Sequence, residues 1–102
     1  MHRLSQIISV LGIVWCSLPA AAQVTLDASK ITCDQFVHAK VSSPRLVAAW
    51  LSGFYNGRRN NRTIDLQSFE ENLSKLEKFC YEEKNYKLPV MQAVEQVLRP
   101  GR

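Results

Sequence analysis

Sulfur, imidazole and carboxylate are the groups in this chain that could do chemistry, and their spacing restricts what that chemistry is. The cysteines are Cys16, Cys33 and Cys80, and the histidines are His2 and His38. No C-x-x-C pair is present, so dithiol redox exchange lacks its usual signature. No Cys, Ser or acidic residue stands near His38 at a recognisable nucleophile or metal-site spacing. Glu70-Glu71 and Glu82-Glu83 are adjacent in sequence, which on a helix turns them outward into water. No metal or cofactor is expected, and an enzyme would need a pocket that joins His38 to a carboxylate. The basic run Gly57-Arg58-Arg59-Asn60-Asn61-Arg62 could touch phosphate or an anionic client. It has no interleaved aromatic platform, so it reads as a solvated loop and no nucleic-acid partner is expected.

The elements that position these groups begin after residue 22. Met1, His2 and Arg3 give a basic start, Ile7 to Leu18 is a largely apolar run, and Ala20-Ala21-Ala22 offers small residues for cleavage. Residues 1–22 are therefore read as a cleaved export signal and residues 23–102 as one helical domain. The apolar run of about 12 residues is short of the roughly 20 that a membrane-crossing helix needs. Cleavage leaves 80 of the 102 residues and two cysteines. A core this small is marginal without a staple, and an even pair in an exported chain predicts one structural disulfide, Cys33 to Cys80.

Four amphipathic helices follow. The first opens at Thr32 with a capping box to Gln35, Ile31 stapling against Phe36, and Cys33 in the first turn. The second starts at Pro44 and carries Leu46, Val47, Trp50, Leu51 and Phe54 as a broad apolar stripe, with Gly57 as its stop. The third is capped by Asp65, with Ile64 stapling toward Phe69, and Leu66, Phe69, Leu73, Leu76 and Cys80 spaced by three and four. Cys80 shares a buried stripe with Leu76, so the disulfide should join helices one and three. The last runs from Pro89 through Val90, Val94, Val97 and Leu98. The expected fold is all-α, a small four-helix orthogonal bundle with one disulfide.

Thr32-Cys33-Asp34-Gln35-Phe36, Trp50-Leu51-Ser52-Gly53-Phe54-Tyr55, Ile64-Asp65-Leu66-Gln67 and Phe79-Cys80 together resemble the HdeA/HdeB family, including a form of it seen in alphaproteobacteria. The likeness runs from Ile31 to about Leu98. It implies a periplasmic, ATP-independent acid-stress chaperone, a homodimer near neutral pH that loosens in strong acid and holds unfolded periplasmic proteins. The lysine-rich ends of the enteric acid chaperone are missing, since Gln23 to Ser29 has no lysine and the chain stops soon after Leu98.

Charge supplies a mechanism that agrees with the resemblance. Losing Arg3 with the signal lowers the formal charge from +4 to +3, and protonating nine carboxylates and His38 in acid raises it to about +13. Such repulsion opposes compactness. Asp34 and Asp65 at helix starts, with Glu70 and Glu71, are the expected pH-sensing carboxylates. Phe36, Val47, Trp50, Leu51, Phe54 and Tyr55 are the expected client or dimer surface, although Trp50, Leu51 and Phe54 fit a buried core stripe equally well. The competing reading is a constitutively folded envelope binding module or inhibitor that shares the fold.

Overall fold

A computed structural model describes residues 25–99 together with Gly12, so the export signal expected over residues 1–22 lies almost wholly outside the described residues. Four helices carry the fold: α1 (Cys33–Val37), α2 (Pro44–Arg58), α3 (Leu66–Cys80) and α4 (Val90–Val97). Single 3-10 turns at Ala28–Lys30 and Glu83–Asn85 precede α1 and α4. No helix among the described residues is long and apolar enough to cross a membrane.

Local chemistry explains the boundaries. At α1, Thr32 Oγ1 accepts from Gln35 N and Gln35 Oε1 accepts from Thr32 N, the reciprocal pair of a capping box. Ser43 Oγ accepts from Leu46 N ahead of Pro44, and Asp65 Oδ1 accepts from Ser68 N. Both α1 and α2 end in Schellman turns. Ala39 sits at φ 54° while Lys40 N donates to Gln35 O, and Asn60 sits at φ 55° while Asn61 N donates to Asn56 O. Asn tolerates this left-handed region, whereas Ala adopts it at a steric cost that a glycine would not incur.

A helix of five residues does not hold itself, and α1 is fastened from three sides. Cys33 is bonded to Cys80 at the end of α3, with both residues fully buried and their Cα atoms 4.8 Å apart. The second fastening runs to the segment before α4. Cys33 N donates to Leu88 O at 2.8 Å and Asp34 N to Tyr86 O at 3.1 Å, while Val90 N donates to Ile31 O at 2.7 Å. These bonds satisfy amides that a helix start leaves open, and they form an isolated antiparallel bridge between Thr32 and Pro89. The third is apolar: Ile31, Phe36 and Val37 pack into one core with Val47, Leu51, Leu73, Leu76, Val90 and Val94.

Two expectations fail at the exposed end of α3. Ile64 is 78% exposed and Leu66 72%, so the staple to Phe69 is absent and the buried stripe begins later, at Phe69 and Leu73. The first turn of α3 has nothing above it to bury these side chains, since the chain enters from the polar loop 59–65. Ile31, by contrast, is buried beside Phe36, as a working staple requires.

The disulfide closes a loop spanning 47 positions, worth about 4 kcal/mol on the chain-entropy account. Reduction, or the double substitution Cys33→Ser/Cys80→Ser, is therefore expected to lower the unfolding free energy by about 3 to 5 kcal/mol, read from urea midpoints at pH 7.

Candidate functional site

Helix α2 carries two parallel apolar ridges. Val47, Leu51 and Tyr55 follow one another at intervals of four, as do Leu46, Trp50 and Phe54, and the two rows lie side by side on the helix surface. The core takes the first row, together with Ala48. The second faces solvent, with Leu46 63% and Trp50 51% exposed and Phe54 partly so. Of the two placements weighed for Trp50 and Phe54, inward with Leu51 or outward at a surface, the folded chain takes the outward one. The physical reason is width, because a bundle this small covers only part of a helix's circumference and a stripe made of adjacent apolar pairs exceeds it.

The outer ridge is ordered by its own contacts. The Trp50 and Phe54 rings stack at a centroid distance of 5.3 Å and an interplanar angle of 12°, and the Arg58 guanidinium lies 5.6 Å over the Phe54 ring. Of the other residues expected at a client or dimer surface, Phe36, Val47, Leu51 and Tyr55 are buried in the folded state. Only a loosened chain presents them.

The carboxylates lie outside this core. No buried polar or charged residue occurs among the described residues, so protonation acts on the surface of the fold. Asp34 Oδ2 accepts from Lys40 Nζ at 2.8 Å, and Oδ1 accepts from His38 Nδ1, also at 2.8 Å. The Lys40 hydrogen bond, with that of His38, holds the Asp34 carboxyl below the ordinary range. The Schellman turn at Ala39 is what brings Lys40 back over the first turn. Asp65 is lowered by the backbone amide of Ser68 that it caps, and Glu70 by the Arg45 guanidinium, whose Nη2 donates to Oε2 at 3.0 Å. Asp27, overlooked in the sequence, is lowered by the Ser29 hydroxyl and amide. Its position two residues before a serine was the available signal. Glu71 accepts from Gln67 Nε2 at 3.3 Å and has no cationic partner among the recorded ion pairs.

Arg45–Glu70 differs from its neighbours in reach. It spans 25 positions and ties the first turn of α2 to α3, while Arg45 also lies 5.9 Å over the Phe69 ring. His38 and Asp34 form a pair four residues apart that the sequence reading had passed over. The edges of Tyr81 and Tyr86 meet the imidazole at 5.8 and 5.3 Å. The second Asp34 oxygen is taken by Lys40, so both residues of the pair belong to a surface network of ion pairs. No cluster of three or more metal-ligating side chains occurs among the described residues.

The sign of the pH effect follows from these depressed values. Each such group stabilises the fold above its unfolded pKa near 4, and that stability is lost as pH falls through the lower folded value. Asp34→Asn is expected to lower the urea midpoint at pH 7 and to flatten its fall between pH 5 and pH 2. An unchanged acid limb would show that Asp34 takes no part in it.

The HdeA/HdeB family profile matches residues 5–89. No curated protein and no solved structure matches the chain. The matched span covers most of the chain, including the capping box at Thr32, both bonded cysteines and all of α2 and α3. The chain belongs to the HdeA/HdeB family.

Proposed function

We propose that this protein is a periplasmic, acid-activated and ATP-independent holdase, exported through a cleaved leader at residues 1–22, that binds acid-denatured proteins and prevents their aggregation. Membership of a family known for acid-stress chaperones supports this reading. The observation that carries it is the division of labour among fastenings: α1 is tied to α3 by a covalent bond, whereas α2 is tied to α3 by packing and the Arg45–Glu70 pair. Acid leaves the first intact and removes the ion pair from the second.

Magnitudes decide where the switch resides. One exposed ion pair contributes little, so Glu70 alone is no switch. The larger effect is collective, because carboxylates discharge together and leave a cationic chain of 80 residues whose self-repulsion opposes a small core. Helix α2 then loosens as a tethered loop and presents Val47, Leu51 and Tyr55 beside the already exposed Leu46, Trp50 and Phe54. The disulfide limits expansion, giving a compact loosened state. Near neutral pH, a second copy covers the outer ridge in a homodimer.

Exposure of Trp50 and Phe54 in the folded state also favours a second reading, a constitutively folded envelope module or inhibitor that uses this ridge at neutral pH. Fluorescence of Trp50 with apolar dye binding across a pH titration separates the two, since only the holdase changes in acid. Aggregation of an acid-denatured periplasmic protein should be suppressed at pH 2 to 4. Trp50→Ser/Phe54→Ser should weaken that suppression severalfold with little change in the stability of the dissociated monomer at pH 7, and reduced protein should lose it. Absence of suppression throughout that range, or full activity after reduction, overturns the proposal.

A further inference from the structure

Within the basic loop after α2, Arg62 differs from its neighbours. Residues 61–65 carry no regular secondary structure, and every residue from Gly57 to Ser68 is exposed. Arg62 has no hydrogen bond or ion pair recorded, for its main chain or its guanidinium, among the described residues. The following residue, Thr63, donates from its amide to Asn61 Oδ1 at 3.0 Å, an exposed contact two residues back in the chain. Exposed loop tips of small and polar residues are where folded chains are nicked.

An endopeptidase takes its substrate as an extended strand whose main-chain groups pair with the enzyme, so a folded chain is cut only where its backbone can be drawn out. The other basic residues fail this condition. Arg45, Arg58, Lys75 and Lys78 lie within α2 and α3, and Lys84 lies in the 3-10 turn at Glu83–Asn85. Asn60, which follows Arg59, holds the left-handed turn that closes α2, with its amide donating to Gly57 O. Ile31, after Lys30, is buried, while Val41 and Leu88, after Lys40 and Lys87, pack against the core. Arg99 precedes Pro100, which has no amide hydrogen and a fixed φ.

We propose that the folded protein is a substrate for a trypsin-like endopeptidase, which cuts the Arg62–Thr63 bond and leaves a two-chain form joined by Cys33 and Cys80. Water adds across that peptide bond, leaving a carboxylate on Arg62 and an ammonium on Thr63. The pieces stay attached, because the cut falls between the two bonded cysteines. It nevertheless opens the ring, so the unfolded chain recovers the freedom that ring closure had removed. The two-chain form is covalently whole and easier to unfold. An enzyme of this class recognises Arg62 by placing a carboxylate against the guanidinium. Cleavage belongs to the folded state at neutral pH, so its test is independent of acid activation.

Digestion of the disulfide-bonded protein by dilute trypsin at pH 7.5 tests the assignment, read by mass spectrometry and by electrophoresis with and without reductant. The first cut is expected after Arg62, giving one band without reductant and two with it, while the helical signal persists. The urea midpoint of the cut protein should fall toward that of the reduced protein. Arg62→Gln should slow the first cut by about tenfold or more, since the enzyme's acidic pocket loses its partner, whereas Lys87→Gln leaves the rate unchanged. A first cut at any other residue, undiminished cutting of Arg62→Gln, cutting only at urea concentrations that unfold the chain, separation of the pieces without reductant, or an unchanged urea midpoint overturns it.

Discussion

The bond between Cys33 and Cys80 is the constraint on which the remaining structure rests. It joins the first turn of a five-residue helix to the last residue of a fifteen-residue one, at a point where both sulfurs are fully buried. So short a helix is unstable on its own propensity. Fixed at Cys33, it can place Phe36 at the centre of the core and offer two amides to Leu88 O and Tyr86 O, which in turn orders the approach to α4. The covalent link, the capping box and the short antiparallel bridge meet within three residues. The rest of the core packs around that junction.

Protonation by acid falls on the surface of this fold. Its core holds no carboxylate, so nothing buried has to be protonated for it to open. The charged groups instead sit at helix starts and between helices, where hydrogen bonds from Lys40, Ser68 and Arg45 favour their ionised forms. Each contact is modest because it is exposed, and its weight comes from acting in concert with the others. Tyr55 belongs to the same pattern from the opposite side. Burial, with Glu95 nearby, pushes its phenol up from an ordinary value that already keeps it neutral in acid.

Much of this fold was legible in the sequence because its signals are local. Thr32 with Gln35, Pro44 after Ser43, Asp65 before Leu66 and the three-four spacing from Phe69 to Cys80 each fix an element by chemistry within one or two turns. The disulfide was legible from parity and from the shared stripe of Leu76 and Cys80. What escaped depends on tertiary distance. Nothing local distinguishes the ridge of Val47, Leu51 and Tyr55 from that of Leu46, Trp50 and Phe54, since both have helical spacing and the choice belongs to the width of the core. Ile64 has the same local pattern as Ile31, yet only Ile31 has neighbours to bury it.

The ring that the disulfide closes contains all of α1, α2 and α3, while α4 lies outside it. Helix α4 is therefore held without a covalent link, by the packing of Val90, Ala93, Val94, Met91 and Leu98 and by the Val90 amide. Its helix also lacks a side-chain cap, starting at Pro89 with no hydrogen bond from a cap residue. Topology thus divides the molecule into a covalently closed loop of three helices and a fourth helix, outside that loop, whose packing completes the core.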